Sequence, residues 1–295
     1  MSSEQGSNKL REALDTGRFV VAPGCYDALG ARLAERLGFR AVYMTGLGVT
    51  ASLLARPDLE LLGMVEMVHQ AGLIASAVGI PIIADADTGY GGLANVERTT
   101  RAYMQAGVAA IHLEDQASPK RCGHLGGVRL ISEQAMLAKL GVALETRGQE
   151  DMLIIGRTDA FKAESIQQAI QRANRYCESG VDVLFVDGIT KKEDFKTVRQ
   201  EVQGRLMASV VEIDAPAQTK AAELEEMGYC IAVYAISGIL ATAGALQRLL
   251  SDIKTHGDSD QSFDGMMTYS DLNEILGIDD YHDLWNRFAE REETE

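Results

Sequence analysis

Residues 112–127 read HLEDQASPKRCGHLGG, placing acids, two cations, a thiol and a histidine in one short loop. Lys120, Arg121 and His124 surround Cys122 with positive charge, which lowers a thiol pKa and suits it to proton transfer or attack. The competing reading is an inert loop cysteine. In IIADADTGYGG, Asp85 and Asp87 stand two residues apart, and in IHLED, Glu114 shares a parity with His112. Carboxylates directed into a core are costly unless compensated. Three of them at adjacent strand ends suit Mg²⁺ or Mn²⁺, whereas single acids there more often cap helices. Arg157 in GRTDAF can grip a substrate carboxylate or form a structural bridge to Asp159 or Asp187. In VYMTGLG, Tyr43 and Thr45 share a parity, and the N–H groups of Gly46 and Gly48 are free to cradle an anion. His112 and His124 are candidates for orienting a substrate oxygen, although a lone histidine is usually structural.

These residues need elements that end together. One phrase recurs: a helical pattern closes at a glycine, and a short apolar run follows. AERLGFRAVYMT, ASAVGIPIIADAD, YMQAGVAAIHLED, CESGVDVLFVDG and EEMGYCIAVYA all show it. The glycines fit left-handed helix closures, and the runs fit parallel strands buried on both faces. With FVVAPG, DMLIIGRTD and RLMASVVE, eight strands are expected near 19–23, 41–45, 80–85, 109–114, 152–157, 182–187, 205–211 and 230–234. Helices are expected near 26–37, 61–77, 92–106, 132–146, 163–179, 191–202, 216–227 and 238–253. Eight such units predict an α/β fold, a (β/α)₈ barrel over 1–253 whose chemistry sits at the C-terminal strand ends. The first strand lacks a GxGxxG, which weakens the open doubly wound alternative. Residues 254–295 are expected to be a loop (KTHGDSDQSFDG) and a helical piece near 270–291, whose apolar face calls for a neighbouring subunit.

The 295 residues are 46% hydrophobic and 24% charged, with a net charge of −15. That field excludes nucleic acid as a partner and repels anionic substrates unless a metal or arginine reverses it locally. Four scattered cysteines without a CxxC pair indicate reduced thiols and a cytoplasmic setting. The polar start is no signal or transit peptide, and no apolar run is long enough to span a membrane.

EDQxxPKRCGH, DADTGYG, PGCYDALGARL and MTGLGVTASLLARPDL together resemble the isocitrate lyase/phosphoenolpyruvate mutase superfamily over roughly residues 18–250. The branches most similar are methylisocitrate lyase, the 2,3-dimethylmalate lyase and petal death protein group, and carboxyphosphonoenolpyruvate mutase. The resemblance implies a barrel, Mg²⁺, a homotetramer with a swapped C-terminal helix, and enolate chemistry on α-oxycarboxylates. By motif it implies Asp85 as direct metal ligand, with Asp87 and Glu114 acting through waters. It places Tyr43, Thr45, Gly46 and Leu47 on the keto acid carboxylate, Asp58 on a gating loop and Arg157 on the substrate. Cys122, with His124 beside it, becomes the proton donor to the departing carbanion, and Tyr43 is a candidate base. The expected reaction is Mg²⁺-dependent cleavage of a 2-hydroxy dicarboxylate to an α-keto acid and a carboxylate. The alternatives are phosphonomutase chemistry and oxaloacetate decarboxylation or hydrolysis.

The sequence departs from these branches on the side that would hold the leaving fragment. Ser209 stands where asparagine is usual, Ile213-Asp214 follow Glu212, Asp187 replaces a common glutamate, and Val128 replaces a frequent lysine. Losing the amide donor, losing the lysine and gaining Asp214 each disfavour a further buried carboxylate, unless Arg129 replaces the lysine. A substituted malate is therefore expected in preference to a tricarboxylate.

Overall fold

The computed structural model describes residues 3–292, except 124, 125 and 214. Eight parallel strands close a barrel in sequence order: β1 Val20–Cys25, β2 Val42–Met44, β3 Ile82–Asp85, β4 Ala110–Glu114, β5 Leu153–Thr158, β6 Val183–Val186, β7 Leu206–Ser209 and β8 Ile231–Tyr234. The helices are α1 Ser3–Asp15, α2 Ala28–Arg36, α3 Gly46–Leu54, α4 Met64–Ala77, α5 Leu93–Ala106, α6 Glu133–Arg147, α7 Ala160–Ala163, α8 Ile166–Glu178, α9 Lys192–Glu201, α10 Ala221–Met227, α11 Ser237–His256, α12 Tyr269–Leu276 and α13 Ile278–Glu292.

All eight expected strands are present, and each expected helix has a counterpart. The pattern missed α1, α3 and the short α7. The missed α3 is held by tertiary packing rather than by a polar/apolar stripe: Gly46, Gly48, Val49 and Thr50 are buried. The expected loop at 254–265 contains a 3-10 helix, Asp260–Gly265. The single expected terminal helix is two, because Gly277 turns left-handed (φ 76°) and takes the closing bonds of α12.

Strand parity sorts two cores. Outward-facing Val42, Met44, Ile82, Ile111 and Ile154 pack against the helices. Inward-facing Val20, Ile83, Ala110, Leu153, Val183, Met207 and Ile231 fill the barrel. Helix α1 belongs to this inner core, since Leu10, Ala13 and Leu14 are buried with those side chains. Its Arg11 donates to Asp182 at 3.0 Å, and Arg147 donates to the other oxygen of Asp182, also at 3.0 Å. One end of the barrel is thus stoppered by a helix.

The chain forms two compact units, Met1–Leu240 and Ala241–Glu295. In the second, α12 packs on α13. Ile275 is buried, while Leu276, Tyr281, Leu284, Trp285 and Phe288 are exposed. Among the described residues no helix is long and apolar enough to cross a membrane.

Candidate active site

The inward parity that carries Ile83, Ala110 and Leu153 carries polar residues one or two steps further on. At the C-terminal rim these are Asp85, His112 and Glu114, Arg157, Asp187 and Ser209. All are buried to within 8% exposure. Tyr43 joins them from β2. Asp85 and Asp87 do come together, but by a turn rather than by strand parity. Strand β3 ends at Asp85, and Asp87 takes a left-handed conformation (φ 47°) whose N–H donates to Asp85 Oδ1 at 3.0 Å. Only a tightly determined fold holds a non-glycine residue in that region.

Burial alone would raise every carboxylate here. Asp85 is nevertheless held down to about 2 by His112, Lys120 and Arg157. Asp87 is raised by burial to about 7, with Lys120 opposing and Asp85 and Asp58 adding to the rise. Burial also lifts Glu114 well above its usual range, despite Arg157. Both Glu114 oxygens and Asp87 Oδ1 lack an aligned hydrogen-bond donor among the described residues. Arg157 Nη1 lies 3.2 Å from Glu114, and Lys120 Nζ lies 2.5 Å from Asp87. These contacts supply charge without a well-directed bond. No three His, Cys, Asp or Glu side chains among the described residues form a ready-made cage. Asp85, Asp87 and Glu114 offer oxygen donors alone, the donor type that hard cations such as Mg²⁺ take.

Several expectations change in the structure. The N–H groups of Gly46 and Gly48 are not free: they donate to Asp85 Oδ2 at 3.2 Å and to the Thr45 hydroxyl at 3.3 Å. Thr45 is the N-cap of α3. Gly46 has no room for a side chain, since a Cβ would sit 2.6 Å from Asp85. His112 is wholly buried, and Nε2 shares a 2.8 Å hydrogen bond with the Tyr43 hydroxyl. Burial lowers it to about 4, so it is neutral and positions Tyr43 rather than touching substrate. Tyr43 itself is pushed well up by burial and Asp85, which weakens the reading of its phenolate as a base. Lys120 is not a bare cation. Its ammonium is fixed by both Asp58 oxygens at 2.8 Å as well as by Asp87, so its charge is neutralised. Arg121 reaches the Gly126 carbonyl. The structural bridge is present at Arg157, which is forked onto Asp159 at 3.0 and 2.8 Å and bonded to Asp187 at 2.7 Å, and the same side chain lines the pocket. Glu212 accepts from Ser237 at 2.9 Å on both oxygens. His124 and Asp214 lie outside the described residues.

Two residues escaped the sequence reading. Gln116 is buried, and its amide holds both backbone groups of Arg121: Nε2 donates to the carbonyl at 2.8 Å, and Oε1 accepts from the N–H at 3.0 Å. Nε2 also reaches Asp159 at 3.2 Å. Glu60, left-handed at φ 59°, accepts from Ser118 Oγ at 2.7 Å and Lys120 N at 2.8 Å. Cys122 N donates to the Asp58 carbonyl at 3.1 Å. The thiol loop is therefore fixed on one side to the Arg157 cluster and on the other to the segment carrying Asp58 and Glu60. Gly123 permits this close seating, because a Cβ there would meet Asp159 at 2.8 Å and Arg157 at 3.2 Å. Glutamine in EDQ was readable as a residue, but its partners only meet in three dimensions.

The result is a small pocket of about 40 Å³ where Tyr43, Asp85, Cys122, Arg157, Asp187 and Ser209 meet apolar neighbours such as Phe185 and Val211. A barrel with carboxylates, an arginine and a thiol at its C-terminal rim is an enzyme that works on a small oxygen-rich anion. The model for phosphoenolpyruvate phosphomutase matches residues 10–254, and the chain belongs to that family. The chain is 41% identical over 281 residues to 2,3-dimethylmalate lyase of Eubacterium barkeri, covering 95% of this chain and 97% of the relative. The structure of oxaloacetate acetylhydrolase with the inhibitor 3,3-difluorooxalacetate superposes with a TM-score of 0.91 at 34% identity, over 98% of this chain and 99% of that one. Phosphonopyruvate hydrolase in complex with oxalate and Mg²⁺ gives a TM-score of 0.88 at 27% identity, over 98% and 100%. The chain is a carbon–carbon lyase of the phosphoenolpyruvate mutase/isocitrate lyase superfamily, whose members depend on a metal.

Proposed function

We propose that this enzyme cleaves a substituted malate, a 2-hydroxy dicarboxylate, to an α-keto acid and a shorter carboxylate. The observation that carries the reading is one small pocket lined by Asp85, Arg157 and Cys122, with Asp87 bonded to Asp85 and Glu114 paired with Arg157. Asp85, Asp87 and Glu114 would hold Mg²⁺, or Mn²⁺ in its place. That ion supplies Lewis-acid stabilisation of the negative charge that develops on the C2 oxygen.

The chain's own residues account for the remaining steps. Arg157 faces the substrate carboxylate at the pocket wall, and its fork onto Asp159 fixes the guanidinium plane. His112 holds the Tyr43 hydroxyl toward the pocket. The substrate hydroxyl gives its proton to a water molecule, the C2–C3 bond breaks, and C2 becomes the keto carbon. The bonding pair stays on C3 as an enolate of the second carboxylate, whose charge needs fixed donors. Cys122 delivers a proton to C3 and recovers one afterwards, so the hydroxyl proton and the new C–H balance. Ser209 and Asp187 border the leaving fragment, and neither offers a cation to a third carboxylate.

A keto acid assay across 2,3-dimethylmalate, citramalate, isocitrate and methylisocitrate tests this reading, with calorimetric Mg²⁺ titration as an independent readout. Cleavage of substituted malates with kcat/KM above that for methylisocitrate supports it. A ratio well below one returns methylisocitrate to first place. Phosphorus NMR for C–P bond formation checks the phosphonomutase alternative. The exposed aromatic and aliphatic residues of α12 and α13 support a homotetramer in which residues 254–295 pack on a neighbour, a state that analytical ultracentrifugation reads directly.

A further inference from the structure

Beside the small pocket lies a second space with a volume of about 950 Å³. Its apolar wall is Leu47, Pro57, Ile213, Pro216, Ile236 and Leu240. Leu47, Asp58, Cys122 and Ile236 line both spaces, so the thiol stands at their junction. C3 is the carbon that receives the thiol proton. A substituent on C3 that points away from the keto fragment therefore passes Cys122 and enters the larger space.

The polar groups there are already engaged. Both Asp58 oxygens are held by Lys120, and Glu212 shares the single proton of the Ser237 hydroxyl, 2.9 Å from each of its oxygens. No lysine or arginine is among the described lining residues. Among the described lining residues a carboxylate tail would meet Glu212 and the Lys120-paired Asp58, whereas an alkyl tail would meet aliphatic side chains. Ile213 and Leu240 are 44% and 49% exposed, and covering such surface favours an apolar occupant. A methyl group fills little of this volume.

Resting on the lyase reading above, we propose that this chamber binds an apolar C3 substituent several carbons long. The preferred substrates are then 3-alkyl or 3-aryl malates, and the released fragment is a medium-chain or aryl-substituted carboxylic acid. Ile213 and Leu240 are specificity-determining residues on this account.

The test is a homologous series of 2-methyl-3-alkylmalates with methyl, propyl, pentyl and heptyl at C3, assayed for pyruvate release. We expect kcat/KM to rise about threefold to fourfold per methylene over the first additions, then level off as the chamber fills. Leu240→Ser and Ile213→Ser should flatten this slope while leaving turnover of 2,3-dimethylmalate near the wild-type value. Hexanoate should compete as a product better than acetate, by at least tenfold. Cleavage of 2,3-dimethylmalate with a flat or falling chain-length series overturns the chamber proposal and leaves the lyase reading standing. Failure to cleave any member of the series, the methyl compound included, overturns both.

Discussion

Glu114 and Asp115 are neighbours in the chain, both buried, and their surroundings are opposite. Asp115 faces outward and is saturated. It accepts from Asp159 N at 2.9 Å on one oxygen, and from Thr158 at 2.7 Å, Tyr176 at 2.8 Å and Arg172 at 3.2 Å on the other. Glu114 points into the barrel; Arg157 Nη1 lies 3.2 Å from it, yet neither oxygen has an aligned donor among the described residues. A buried acid whose bonds are filled is structure; one without aligned donors calls for a further partner such as a water or an ion. The two differ in strand parity and in nothing the chain order reveals.

The comparison is sharpest in mutants. Glu114→Gln and Asp85→Asn should each lower kcat/KM by about two to three orders of magnitude and abolish calorimetric Mg²⁺ binding, with Tm held within a few degrees. A large loss of Tm with Mg²⁺ affinity intact would make Glu114 a structural acid after all. Cys122→Ser should cost about 10²–10⁴ in kcat with KM little changed, since the proton is needed after binding. Normal turnover by that variant makes the thiol a bystander. Asp115→Ala inverts the pattern. It leaves Tyr176 and Thr158 without their buried acceptor and Arg172 with only Ile131 and Glu164, and should destabilise by about 3 kcal/mol, on the order of ten degrees of Tm. The folded enzyme at low temperature should lose far less activity than the Glu114 variant. Equal losses of activity in the two would erase the distinction. Gln116→Met keeps the volume of that side chain but releases Arg121. It should slow kcat about tenfold and alter the alkylation rate of Cys122, read by peptide mapping, with Mg²⁺ affinity unchanged. An unchanged alkylation rate reduces Gln116 to packing.

The barrel was legible because glycine-closed helices followed by doubly buried runs are a local signal repeated around the chain. The rim acids were legible for the same reason, since position at a strand end is a local property. What was not legible were pairings. The sequence offers Lys120 to Cys122, and the fold gives it to Asp58, a partner 62 residues away. The sequence leaves the glycine N–H groups of α3 open, and Asp85 from another strand takes one of them. Helix α3 was missed because packing against the barrel, rather than an amphipathic stripe, decides where it forms, and α1 was missed because its amphipathic pattern precedes the repeated strand-and-helix unit. Gln116 carried no signal until the backbone of Arg121 was folded against it.

Helix α1, the stopper of the barrel, also concerns time. Its Arg11 ends on Asp182, a partner 171 residues downstream. At roughly 5–20 residues per second, that gap is about ten to thirty seconds of translation. Through that interval Leu10 and Leu14 have no barrel interior to enter. The helix must wait on the ribosome as an apolar face without a partner, and contacts so distant in sequence are slow to close. The last strands of the barrel, and not the helix, therefore set when the N-terminal segment stops being a liability for aggregation.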